Sequence, residues 1–146
     1  MKDFMAAAKA LSDEGRVRIV AALAGQELCV CELIELLELA PSTVSKHLSL
    51  LKQARIIEGR RSGRWTYYRL AGDDARVEVL AAIEWVRSSL GDDPVARRDR
   101  ERISEIVAGR TDACSDSPGR LGAPASASAR QSEMHTRTRH QREERS

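Results

Sequence analysis

The chain has 146 residues, enough for one ordinary domain or one domain with an appendage, and it contains no run of eighteen apolar residues that would span a membrane. A net charge of +2 says little about partners, so any partner must be argued from where the charge sits. Aromatic residues make up only 3%, which leaves Leu, Ile, Val and Ala to build the core, a palette that suits helices and a modest core that gains from an oligomer. Three cysteines without disulfide-framework spacing point to a reducing cytoplasm, and MKDFMAAAKALSDEG does not read as a secretory signal.

A first helix is expected over 2–11, with Phe4, Ala7, Ala8 and Leu11 on one face. Ser12 or Asp13 caps a second, DEGRVRIVAALAG, with Val17, Val20, Ala21 and Leu23 inward and Gly25 at its end. The third spans 30–37, with Leu33, Ile34 and Leu37 inward and Glu32, Glu35 and Glu38 wet. Pro41 fits the first position of a fourth helix, PSTVSKHLSLLKQA, which buries Val44, Leu48 and Leu51. The period then changes. ARIIEGRRSGRWTYYRL reads as a β-hairpin with its tip at Arg61-Ser62-Gly63-Arg64 and with Tyr68 and Leu70 inward. A fifth helix is expected over 74–90, where Val79, Ile83, Val86 and Leu90 form a 4-3-4 seam suited to a partner helix. A sixth follows over 94–108, capped by Asp93-Pro94. From Thr111 the chain turns to Ser, Ala, Arg and Gly with almost no large aliphatic residue, so 111–146 is expected to be disordered.

Helix, short turn, helix and a basic hairpin make a winged helix-turn-helix, mainly α with a small β wing. From Lys46 to Arg69 there are seven basic residues and one acid, Glu58, in a chain of net charge only +2. Such a patch is the footprint of a phosphate backbone. Ser42, Thr43, Ser45 and Lys46 open the fourth helix and are small or basic enough to enter a major groove. Arg60, Arg61 and Arg64 flank the hairpin tip and would follow the backbone or enter the minor groove. His47 reads either as a phosphate contact or as a histidine at the core edge.

ALSDEGRVRIVAAL, PSTVSKHLSLLKQARII and GRRSGRWTYYRL, in this order and spacing over about residues 4–90, resemble the ArsR/SmtB family of metal-sensing repressors. The resemblance implies a homodimer through the first and fifth helices, an inverted-repeat DNA operator as partner, and release by a metal ion. With the sixth helix and the tail read above, the chain is expected to divide into a DNA-binding and dimerisation domain over 1–92, an added helix over 93–110 and the tail over 111–146. The fifth helix, DDARVEVLAAIEWVRSSL, has no histidine, which speaks against a zinc site there. ELCVCEL instead resembles the family members responsive to As(III) and Sb(III), making Cys29 and Cys31 candidate ligands. Ile34 stands where several of those members carry a third cysteine.

Thiolates favour soft ions, and a helix N-terminus favours thiolate, while Glu27 and Glu32 oppose it. Residues i and i+2 of a regular α-helix point about 200° apart, so two sulfurs on one ion require a non-helical or unwound first turn. Cys114 is a candidate third ligand or an incidental tail thiol, with a small thiol or water as substitutes. The expected function is a cytoplasmic As(III)-responsive repressor, Sb(III) being a second ion. The alternatives are an oxidant- or reactive-sulfur-responsive repressor of the same fold and, from another class, a thiol oxidoreductase or metal carrier.

Overall fold

Asp13 leaves the chain extended and accepts the Arg16 N–H at 3.1 Å, which starts α2 (Glu14–Ala22) one short turn after α1 (Lys2–Ala10). In this computed structural model the described residues are 1–110; the tail expected over 111–146, with Cys114, lies outside them. After α2 come β1 (Leu28–Cys29), α3 (Val30–Leu37), α4 (Pro41–Gln53), β2 (Ile57–Ser62), β3 (Trp65–Leu70), α5 (Val77–Ser89) and α6 (Pro94–Ala108). Pro41 and Pro94 stand at the starts of α4 and α6, where a missing N–H costs nothing, and Asp93 caps α6 through the Val95 and Ala96 amides. No helix among the described residues is long and apolar enough to cross a membrane.

The core is aliphatic. Ile19, Val20, Leu33, Val44, Leu48, Leu51, Ile56 and Ile57 are sealed from solvent, so α2, α3, α4 and the base of the hairpin share one interior. Tyr68 and Leu70 pack against it, as expected. Gly63 turns the hairpin at φ +60, a conformation open to glycine at little cost.

Three expectations are corrected by packing. The α5 seam of Val79, Ile83 and Val86 is buried inside its own chain, with α5 packed on α1 and α2, and the exposed apolar residues of α5 are Val77 and Trp85. Phe4 is 58% exposed and does not join the core, whereas Ala7 and Ala10 do. The two-stranded hairpin is a three-stranded sheet of order β1-β3-β2, with Leu28 opposite Tyr68 and Cys29 opposite Tyr67. A two-residue strand carries no alternation, so the sequence pattern could not reveal it.

Helix α6 lies across α2 and α3. Its Asp99, 5% exposed, takes the Arg18 guanidinium of α2 in a two-pronged ion pair at 2.7 and 2.9 Å. The Asp99 hydrogen bonds raise the Arg18 pKa further above its ordinary value. Arg18 also reaches the Leu36 carbonyl of α3 at 3.4 Å, so one side chain ties three helices together.

Candidate thiol site and nucleic-acid interface

Cys29 and Cys31 straddle a boundary. Cys29 ends β1 with extended backbone, φ −80 and ψ 162, and is the N-cap of α3; Cys31 lies in the helix's first turn. The pair therefore escapes the 200° divergence of two helical residues without unwinding. Their Cα atoms are 5.4 Å apart and the sulfurs are joined in a disulfide. Cys29 is fully buried and Cys31 half-buried.

Glu32, expected on the wet face, is 5% exposed. It occupies the third position of α3, and its Oε2 accepts the Cys29 N–H at 2.8 Å, the reciprocal half of a capping box. A buried carboxylate needs a countercharge. Arg110 supplies it from just beyond the end of α6, donating Nε to Oε1 at 2.6 Å and Nη2 to Oε2 at 2.7 Å, with a further bond to the Glu27 carbonyl at 3.0 Å. The Glu27 carboxylate meets the Arg60 guanidinium of the wing, which lowers the Glu27 pKa below the ordinary carboxylate range. Both acids flanking the thiol pair are thus neutralised by arginines. The Cys-x-x-Glu spacing of a capping box was a usable signal for Glu32. Nothing local could point to Arg110, 78 residues away.

Among the described residues no group of three or more His, Cys, Asp or Glu side chains could hold a metal ion. The site's soft atoms are two sulfurs, joined to each other.

The second surface is α4 and the wing. Ser42, Thr43, Ser45 and Lys46 are exposed in the first half of α4, whose inward face is Val44, Leu48 and Leu51. Arg61 and Arg64 are exposed at the wing tip. Arg60 is exposed too but is paired: it turns back to Glu27, and its guanidinium lies 5.2 Å from the Tyr67 ring centroid, within cation–π range. His47 faces inward. Its Nδ1 is buried without a hydrogen-bond partner, 3.7 Å from Asp13 Oδ1, and a Cβ at residue 15 would sit 2.9 Å from Nε2, so the ring would have to shift to admit one.

A helix-turn-helix followed by a wing, with an exposed polar recognition helix, is the architecture of one group of regulators, and residues 13–58 match the family described as "Bacterial regulatory protein, arsR family". The chain belongs to the ArsR family. This ArsR-family chain is 48% identical over 63 residues to the arsenic resistance transcriptional regulator ArsR1 of Pseudomonas putida, covering 42% of this chain and 49% of that protein. It is 44% identical over 73 residues to a homologue of the cadmium resistance regulatory protein CadC from Staphylococcus aureus, covering 49% and 59%. It spans about half the length of these curated relatives. Among solved structures it is similar to the homodimeric winged helix-turn-helix DNA-binding domain Mb0332 of Mycobacterium bovis, with a TM-score of 0.53, 28% identity, and coverage of 64% of this chain and 82% of that one. Members of the ArsR family are transcriptional regulators and not enzymes, which removes the oxidoreductase reading.

Proposed function

We propose that the chain acts as a homodimeric repressor in the cytoplasm, bound to an inverted-repeat operator and released when As(III), or Sb(III) in its place, bonds to Cys29 and Cys31. The observation that carries this reading is the place of the two sulfurs. They stand at the N-cap and in the first turn of the helix that packs on α4, and Cys29 pairs in register with the wing strand. A change at the sulfurs therefore acts on both DNA-facing elements. Ser42, Thr43, Ser45, Lys46, Arg61 and Arg64 would meet the DNA; Arg60, exposed but paired with Glu27, and His47, turned inward, would support them. The exposed Phe4 and Met5 of α1 and Val77 and Trp85 of α5 supply an apolar face for a second copy.

Bonding requires the reduced pair. Two equivalents of a small-molecule thiol deliver two electrons and two protons to the disulfide and leave joined to each other as a disulfide. Each As–S bond then forms as a thiol proton leaves with an arsenic-bound hydroxide as water. Cys114 is proposed as the third sulfur. Arg110 is anchored at Glu32 and the Glu27 carbonyl, and four further residues reach at most about 14 Å when extended. Linkage requires that DNA weaken arsenic binding by the factor with which arsenic weakens DNA binding.

The test is fluorescence anisotropy on a labelled operator fragment, with a phosphine reductant because a dithiol would compete for arsenite. Arsenite should release the wild-type chain and spare Cys29→Ser/Cys31→Ser at nearly unchanged DNA affinity. A chain ending at residue 110 tests Cys114, and an unaltered arsenite response removes it as a ligand. The disulfide favours a second reading in which the dithiol is oxidised by peroxide, with water as the other product. Release by peroxide with none by arsenite would establish that reading against the first.

A further inference from the structure

The arginines of the wing are not equally free. Arg61 and Arg64 stand exposed at the tip, and Arg69 is paired with Glu58 inside the hairpin at 3.0 Å. Arg60 is gripped from outside the hairpin, by Glu27, the residue before β1. Strands β1 and β2 lie on opposite sides of β3, roughly 10 Å apart. Arg60 covers that distance by lying across its register partner Tyr67, with its guanidinium 5.2 Å from the ring centroid. Its Nη2 donates to Glu27 Oε1 and its Nε to Oε2 at 3.3 Å. This is the two-pronged fork by which a guanidinium takes a phosphate, and a carboxylate already fills it. Each partner favours the other's charge: the bond to Arg60 lowers the Glu27 pKa, and the bond to Glu27 raises that of Arg60. The Glu27 backbone is anchored too, since its carbonyl accepts Arg110 Nη2 at 3.0 Å. The Arg60 side chain is 56% exposed, so the pair is open to DNA, but an approaching phosphate meets a charge that is already cancelled.

We propose that Glu27 is a built-in rival to DNA phosphate at Arg60, withholding one cation from the wing and setting DNA affinity below the level its arginines would otherwise reach. The inference rests on the proposed DNA face, in which the wing lies against the duplex. It gives the residue before β1 a role as a brake on the wing, one that needs neither an ion nor a redox change at the sulfurs. A moderated grip suits a repressor that has to be released.

The experiment is fluorescence anisotropy of the full chain on a labelled mixed-sequence duplex, since a phosphate contact carries no base information. Wild type, Glu27→Gln, Arg60→Ala and the double variant are compared over a range of salt, with circular dichroism as the check on folding. Glu27→Gln keeps the size of the side chain and removes its charge, and Glu27→Ala repeats the test without its hydrogen-bonding atoms. Glu27→Gln should steepen the slope of log affinity against log salt by about 0.9, one added phosphate contact, and tighten binding by roughly 8-fold at about 0.1 M salt. Arg60→Ala should change the slope little in wild type and by the full step in the Glu27→Gln background. An unchanged slope in Glu27→Gln overturns the proposal. Weaker binding does so too, because Glu27 would then brace the wing, and so does an equal gain in the Arg60→Ala background, because Glu27 would then simply repel DNA. Lys46→Ala and Arg64→Ala report on the DNA face separately. Weaker binding in both with no gain in Glu27→Gln sinks the brake alone, whereas unchanged binding in both sinks the DNA face and the brake with it.

Discussion

Asp99→Ala probes whether α6 is part of the fold or an ornament on it. The substitution removes two charge-assisted hydrogen bonds, at 2.7 and 2.9 Å, and strands an Arg18 side chain that is only 17% exposed. Removing one partner of a buried pair costs about 3–5 kcal/mol, and the residual exposure of Arg18 with its 3.4 Å bond to the Leu36 carbonyl places this site near the lower end. A loss of about 3 kcal/mol lowers the melting temperature of a domain this size by roughly 10–20 °C. The assay is urea and thermal unfolding followed by circular dichroism, for Asp99→Ala, Arg18→Met and the double variant. The double variant should be more stable than Asp99→Ala, because it no longer buries an unpaired cation. A loss under about 1 kcal/mol for Asp99→Ala, or additive single effects, would refute this account of how α6 is held.

Three further predictions concern the DNA face and the sensor segment. Lys46→Ala or Arg64→Ala should each lower the slope of log affinity against log salt by about 0.9, one phosphate contact, while Arg60→Ala lowers it less because Arg60 turns back to Glu27; salt titrations on the operator fragment decide this. The depressed Glu27 pKa means its bond to Arg60 stabilises the fold above the ordinary carboxylate pKa, and that stability is lost as pH falls through the lowered folded value. The stability difference between wild type and Glu27→Gln should therefore shrink on acidification from pH 7, and a difference that does not depend on pH contradicts the ion pair. Gly15→Ala should change stability little, since a gain of about 1 kcal/mol in helix propensity opposes the clash, but it should displace the His47 ring. An unmoved His47 imidazole resonance would contradict that contact.

Periodicity exposed most of the helical frame. Helices α3 and α6 run as the apolar spacing and caps indicate, and Pro41 marks the start of α4. What periodicity could not tell is which apolar stripe meets which surface. The α5 seam has the spacing of a partner-facing helix, yet α1 and α2 of its own chain cover it. The thiol site was half legible. Cys29 and Cys31 stand together at the start of α3, as their spacing required. Glu32 looked like a surface acid because helical phase puts it opposite Leu33 and Leu37, and only the arrival of α6 buries it. Such a residue is decided by chain that lies far away in sequence, and no local window contains the answer.

That distance orders events in time as well as space. The Glu58–Arg69 pair closes over 11 residues, whereas Arg110 meets Glu32 across 78. Loop-closure entropy makes the longer closure about 1.7 kcal/mol harder, and during synthesis it cannot happen until residue 110 has been made. The helix-turn-helix and wing rest on shorter-range contacts and can form first. The thiol segment is finished last, so a nascent chain holds its two sulfurs and an unmatched Glu32 in the open before the arginine arrives to close them.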